Sequence, residues 1–417
     1  MMKIPKRLLI VSLCAGVLVG AYACTPSPQE APETASEAAP SSIDNPLYVD
    51  PASRDFSANP KLLDRILETP HGYFRFINVP FSQEACRRFS PDLTATSTLN
   101  LHGDAHMEQY AITDLGRGLT DFDDSSTGPG VLDLARFGVS MLLAGRQVGL
   151  EAEADAAFND LLRGYTDGLT GVTDEAKPDL ANRKEAEFRD DKEGFFNFVE
   201  GIMEPVPDDE RAELLVSLED YFAAMRAANP DYGDAYFNIV DLGYLRQGIG
   251  SALDLKFLIR IQGPSDAPTD DVVLELKEVR DLTSIDCIRV SRGDDPFRVL
   301  QGHARIANEP FRYLGYSRFR DVTFWIHAWV ENYSELDIAD DLKTGDFAQV
   351  AYDAGLQLGR GQVRKIAEPV EQQLRSEQSR LIAENAERIQ SECRELANLA
   401  VDAWEEFRAR AQTGASP

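Results

Sequence analysis

Two short apolar runs in this chain end in clustered charge, and a fold that accommodates both has few options. Leu99-Asn100-Leu101 leads into His102-Gly103-Asp104-Ala105-His106-Met107-Glu108-Gln109, and the stretch Gly118–Phe122 leads into Asp121-Phe122-Asp123-Asp124. Apolar strands seek a core, whereas ionised carboxylates are costly to bury without a partner. One such cluster reads as a solvated turn. Two, each closing a short strand, read as a site. His102, Asp104 and His106 alternate, so on a strand they would share one face. Carboxylates packed as densely as Asp121, Asp123 and Asp124 suit a hard divalent cation such as Mg²⁺.

The balance of charge narrows the partners. Against 70 Asp+Glu stand 42 Lys+Arg, a formal net charge of −28. That argues against nucleic acid, which needs clustered Lys and Arg, and against adsorption to anionic lipid through a basic patch. With 43% hydrophobic residues the chain can bury a core, which excludes wholesale disorder. Its 417 residues suit two or three domains or one large two-lobed one.

Residues 1–23 read as a signal peptide: Lys3, Lys6 and Arg7, an apolar run from Leu8 to Val19, then Ala21-Tyr22-Ala23 before Cys24. A Cys at this position resembles a bacterial lipobox, with Ala21 where Leu or Val is usual. It would make Cys24 the lipidated first residue of the mature chain. Residues 24–45 follow as a Pro-, Ala-, Ser- and Glu-rich disordered tether. Thr25, not Asp, follows the Cys. By lipoprotein sorting rules this points to the cell envelope, lipid-anchored, at the outer membrane facing the periplasm. The membrane would be met through the anchor only. Cys86, Cys287 and Cys393 then allow one disulfide at most, and the sequence does not say which.

Beyond the tether, a short helix is expected around Lys61–Leu67 and another over Phe74–Phe89. Leu132, Ala135, Val139, Leu142 and Leu143 share a face of a helix over Val131–Val148. Tyr244–Gln262 and Val272–Val279 alternate like strands around a turn-rich Gly263–Asp270, predicting a hairpin. The last third returns to helix, ending in a long one from about Val370 to Arg410. In it Ile382, Ala386, Ile389, Cys393, Leu396, Ala400, Ala403 and Phe407 form a heptad seam. Its small Ala residues favour packing on the chain's own domain over a dimerising coiled coil. His71, His303 and His327 read as packing or lining residues.

The motifs carry a resemblance. His-Gly-Asp-x-His followed by a strand and Asp-Phe-Asp resembles the catalytic loop and metal motif of aminoglycoside-phosphotransferase-type kinases. The stretch from Leu101 through Asp133-Leu134-Ala135-Arg136-Phe137 resembles the bacterial family called domain of unknown function 2252. So does Thr69-Pro70-His71-Gly72-Tyr73-Phe74-Arg75. Asp241, Gly248-Ile249-Gly250-Ser251 and Leu274-Glu275-Leu276-Lys277-Glu278 are similar to that family's glycine turn and Lys-Glu strand. In ordinary kinases the glycine loop and its Lys precede the catalytic Asp; here they follow it.

The resemblance implies an α+β, permuted protein-kinase-like two-lobed fold, mostly helical with a small antiparallel sheet. Its parts would be a catalytic-motif-bearing helical lobe (46–240), a glycine-turn and lysine β-lobe (241–290) and a helical remainder (291–417). Asp104 would accept the proton of an attacking hydroxyl. Asp121, Asp123 and Gln109 would hold Mg²⁺. Gly248, Gly250, Ser251 and Lys277 would bind phosphate, with His102, His106, Glu278 and Arg75 in support. Gln109 stands where the kinase pattern has Asn, and Gln362 where the family has His. The expected activity is Mg-dependent phosphotransfer, from ATP or another phosphate donor, to an unknown hydroxyl on a small molecule or surface substrate. A hydrolase with a metal on His102, Asp104, His106 and Asp121 is an alternative. A degenerate kinase-like binding protein without catalysis is another.

Overall fold

The helix expected over Val131–Val148 forms with those limits, and fifteen of its residues are buried. Gly149 stops it at φ +74, a conformation that costs glycine little, and Glu151–Thr170 begins the next helix. That second helix lies against Asp346–Gln362 so closely that a Cβ on Gly164 would sit 2.1 Å from the Tyr352 carbonyl oxygen. The computed structural model describes residues 45–57, 59–89, 98–172, 176–230, 232–233, 235–246, 254–365 and 369–414. The signal, Cys24, nearly all of the tether, and Gly248, Gly250 and Ser251 lie outside the described residues. From Asn45 onward the chain packs as one unit of helices and small antiparallel sheets.

The largest sheet has six strands in the order Met203–Glu204, Ile239–Leu245, Lys256–Ile261, Val272–Glu278, Val322–Ala328, Gly315–Phe319, each antiparallel to its neighbours. The expected hairpin is its centre, with Lys256 opposite Lys277. The sheet reaches beyond 241–290 at both ends of the sequence. Residues 315–335, read from the sequence as helix, form three strands instead. They are short, and Tyr313 and Arg320 turn the chain at φ +60 and +53, so no helical period develops. Val272–Glu278 is an interior strand. Its period of two sends Leu274 and Leu276 into an apolar cluster with Phe257, Ile259, Phe324 and Ile326, and turns Glu275 and Lys277 to the opposite face.

Two smaller sheets frame the acidic segments. Leu99–Leu101 pairs with Ser126–Gly128, and Tyr110–Thr113 lies between Tyr333–Glu335 and Gly116–Leu119. The strand expected over Gly118–Phe122 ends at Leu119, because the chain must turn sharply where Asp121 adopts φ +58.

The C-terminal helix spans Val370–Gly414, 45 residues and about 68 Å at 1.5 Å per residue. Its seam is covered by the chain itself. Ile389, Cys393, Leu396, Ala400, Ala403 and Phe407 are fully buried, with Phe407 against Tyr73 at 5.2 Å. Among the described residues, no helix is long and apolar enough to cross a membrane.

Cys86 and Cys287 form a disulfide, Cα atoms 5.7 Å apart, which ties the helix Asn78–Arg88 to the segment after the Lys277 strand; Cys393 is buried and free. Closing a loop of this length constrains the unfolded chain. Replacing both Cys86 and Cys287 by Ser is therefore expected to lower stability by about 2–4 kcal/mol, read by urea unfolding without reductant. Equal midpoints for variant and wild type would contradict it.

Candidate functional site

The first acidic segment is a loop, not a strand face. The strand stops at Leu101 because Gly103 adopts φ +87 with its Cα against Asp124. A Cβ there would lie 1.9 Å from the Asp124 carbonyl oxygen. Asp133, in the first turn of Val131–Val148, accepts from the His102 and Gly103 N–H groups at 2.9 Å each. Gln362 donates to Asp133 at 2.9 Å and accepts from the Tyr165 hydroxyl at 2.6 Å. The Gln that stands in place of His thus braces the clamp on this loop.

His102, Asp104 and His106 consequently do not converge as three ligands. The His102 ring lies 2.9 Å from the Thr120 carbonyl through Nε2, and its Nδ1 accepts from the Asp104 N–H at 3.3 Å. His106 is buried with Nε2 3.8 Å from Asp104 Oδ2. Burial lowers both imidazoles below their ordinary range, His106 well below, so both are neutral. Among the described residues, no group of three or more His, Cys, Asp or Glu is arranged to hold a metal ion.

Asp104 itself faces a cleft. Arg136 Nε donates to Asp104 Oδ1 at 2.9 Å, while Arg136 NH2 donates to the Phe74 carbonyl and the guanidinium lies 3.7 Å over the Phe74 ring. Burial pushes the Asp104 carboxyl up to about 7. Arg136 opposes the rise and Asp124 adds to it. A carboxyl near 7 exchanges protons readily at neutral pH.

The second acidic segment closes the cleft from the side. Asp121 is held in the left-handed region, a strained conformation for a non-glycine residue. Lys277, 156 residues later, reaches from the sheet and places Nζ 2.7 Å from Asp121 Oδ1 and 2.6 Å from Asp123 Oδ2. Burial works against both Asp121 and Lys277. Their mutual attraction overcomes it, keeping Asp121 well below the usual carboxylate range and Lys277 well above the usual ammonium range. Asp123 is pushed well up by burial and by the neighbouring charge of Asp121. Gln109 donates to Asp121 at 3.2 Å. Arg280 bridges Asp124 at 2.8 Å and Asp254 at 2.6 Å, and Asn78 donates to Asp124 at 2.8 Å.

Asp104, His106, Gln109, Asp121, Asp123, Asp124, Lys277 and Arg280 line one cleft of about 570 Å³, whose lining also includes Arg65, Arg75, Tyr333 and Glu335. Thr69 caps the helix Pro70–Phe76, Pro70 fills its first turn, and Arg75 in its last turn donates to Glu108 at 2.8 Å. The comparison with known families bears on the same residues. The profile described as an uncharacterized protein conserved in bacteria (DUF2252) matches residues 57–194 and 180–410. The chain belongs to the DUF2252 family. No curated protein and no solved structure matches it. The first matched segment of this DUF2252 chain supplies Asp104 and Asp121–Asp124, and the second supplies Lys277 and Arg280, so the cleft needs both.

Of the residues singled out from sequence, Asp104, His106, Gln109, Asp121, Asp123, Lys277 and Arg75 line this cleft. Glu278 does not; its carboxylate accepts from the Leu255 N–H at 2.9 Å and closes the hairpin. His71 bonds Ser140 at 2.7 Å, and His303 stacks 4.6 Å from Phe122. His327 lines the cleft between Trp325, at 4.6 Å, and Glu275, at 3.2 Å. Sequence reasoning missed Arg136, Arg280 and Lys256 as site residues. Arg136 lay inside a quoted motif, and Arg280 follows Lys277 by three positions, but neither position reveals that its cation neutralises a carboxylate of the loop.

The carboxylates themselves bear on whether Mg²⁺ fits. Asp123 Oδ1 and Asp124 Oδ1 are buried acceptors with no hydrogen-bond partner, and both residues line the cleft. Mg²⁺ commonly takes one or two carboxylates and completes its shell with water and phosphate oxygens. Two orphaned carboxylate oxygens fit that pattern, whereas an all-protein cage does not fit.

Proposed function

We propose that this DUF2252 protein is an exported, lipid-anchored phosphotransferase with a permuted kinase-like architecture. The observation that carries the reading is the Lys277 ammonium lying between Asp121 and Asp123 in the cleft that Asp104 lines. Phosphoryl transfer needs positioning and charge neutralisation more than covalent chemistry, and this grouping supplies both. Asp104, oriented by Arg136, takes the proton of the acceptor hydroxyl. Lys277 and Arg280 neutralise phosphate oxygens. Asp123, through its unpartnered Oδ1, and the adjacent Asp121, with Gln109 beside them, would hold Mg²⁺, which when bound would offset charge developing on the phosphates. Gln keeps the amide of the kinase Asn on a longer arm, and its bond to Asp121 is compatible with that place.

The test is calorimetric titration of the mature protein with Mg-ATP. Mg-dependent binding that Asp121→Asn abolishes is expected; no binding with either ion or nucleotide would refute the reading. One observation favours a non-catalytic binding protein instead: the Lys277 ammonium is paired with the same carboxyl groups that are proposed to take the cation. That protein would bind nucleotide without turnover.

The lipid anchor is part of the proposal. The Cys86–Cys287 disulfide is in keeping with an oxidising compartment. Globomycin is expected to accumulate the precursor, and Cys24→Ser to release soluble protein. A Cys24→Ser protein that stays on membranes would contradict it.

A further inference from the structure

Arg65 and Arg75 make part of the cleft lining electropositive in a chain of net charge −28. Other carboxyl groups on the cleft have their own donors: Lys277 for Asp121 and Asp123, Arg280 for Asp124, Arg136 for Asp104, Lys192 for Glu331. Arg65 differs. Among the described residues it meets no carboxylate, and its one hydrogen bond runs from Nε to the Lys61 carbonyl at 3.4 Å. Its neighbour Arg75 gives NH1 to Glu108, while Arg75 Nε is buried without a partner. Glu108 is the carboxylate paired with Arg75. Burial would raise it, but His71 and Arg75 bring it down to about 2. Glu335, beside them, has its carboxyl raised by burial and accepts from the Tyr333 hydroxyl at 3.3 Å. Arg65 thus has no carboxylate partner and Arg75 keeps an unused buried N–H, and an unmatched guanidinium at the rim of a buried site is stabilised by an anionic ligand.

We infer that the acceptor bound beside Asp104 is a small hydroxyl compound carrying an anionic group, a carboxylate or a phosphate, held by Arg65 and Arg75. This rests on the phosphotransfer reading of the same cleft. With a nucleoside triphosphate as donor, the acceptor oxygen bonds to the γ-phosphorus and the bond from that phosphorus to the bridging oxygen breaks. The hydroxyl proton passes to Asp104, and the nucleoside diphosphate leaves. The anion fixes the acceptor so that its hydroxyl, not water, meets Asp104. A guanidinium pair repels cationic acceptors, so an aminoglycoside is a poor fit despite the acidity elsewhere in the lining.

The test is calorimetry on the Mg-ADP-bound full chain with sn-glycerol 3-phosphate, D-glycerate, glycerol and kanamycin. At least one of the two anions is expected to bind ten times or more tightly than glycerol and kanamycin; which one distinguishes phosphate from carboxylate. Arg65→Gln is expected to weaken that anion at least tenfold, with Arg65→Lys within about threefold of wild type and Mg-ADP affinity unchanged in both. Glycerol or kanamycin binding as well as the anions, neither anion binding, or Arg65→Gln leaving anion affinity intact would each overturn the inference. A chain that does not bind Mg-ADP at all would instead refute the phosphotransfer reading on which it stands.

Discussion

Lys277→Met is expected to lower stability by about 3–5 kcal/mol at neutral pH, because it leaves Asp121 and the buried Asp123 without their cation. The Lys277 ammonium lies within 3 Å of both Asp121 and Asp123; Lys277 and Asp123 are buried and Asp121 is partly exposed. The sign with pH follows from Asp121. Its folded-state pKa lies below the unfolded value, so its contribution is present above about pH 4 and fades as pH falls. The variant has lost that contribution. The gap between wild type and Lys277→Met should therefore shrink on acidification. Adding Asp121→Asn to Lys277→Met removes the abandoned charge and should recover part of the loss. Urea unfolding at neutral and acidic pH reads all of this. A cost below about 1 kcal/mol would mean that the ion pairs contribute nothing net, as many exposed ones do.

Asp104→Asn is expected to reduce turnover by about 10²–10⁴-fold, the usual contribution of a positioned general base, with Mg-nucleotide affinity little changed. Burial holds Asp104 near 7, so kcat/KM of the wild type should rise with pH through about 7 as the carboxyl loses its proton. The same raised value means that the folded chain holds this proton more tightly than the unfolded one. Asp104 therefore stabilises the fold at low pH, and its contribution is lost as pH climbs through about 7. In Asp104→Asn both dependences should flatten. A wild-type profile flat between pH 6 and 8 would remove Asp104 from the proton-transfer step.

Particular residues show how far the sequence reached. The long helices, the hairpin and the C-terminal seam were legible because each repeats its period over many residues: Ile389, Cys393 and Leu396 needed only counting. The strands over 315–335 were not legible, since three to seven residues hold too little period against a helical background. In the site, the acidic runs stood out because carboxylates beside apolar segments are unusual. Lys277 was carried by the resemblance alone; composition and spacing left it equally suited to an edge strand, and only its place inside the sheet sets it opposite Lys256 and Trp325. Alternation suggested one face for His102, Asp104 and His106, but positive φ at Gly103 broke that face and turned His102 into a brace. Arg136 and Arg280 escaped notice because pairing across the fold leaves no local signature.

The central claim is that Asp121 and Asp123 take a divalent cation together with phosphate. Electron paramagnetic resonance of Mn²⁺ titrated into the protein, with and without ADP, measures this directly. The account predicts tight Mn²⁺ binding when ADP is present, weak binding without it, and loss of the nucleotide-dependent fraction in Asp121→Asn. Mn²⁺ binding that ignores ADP, or no bound Mn²⁺ with ADP in excess, would contradict it.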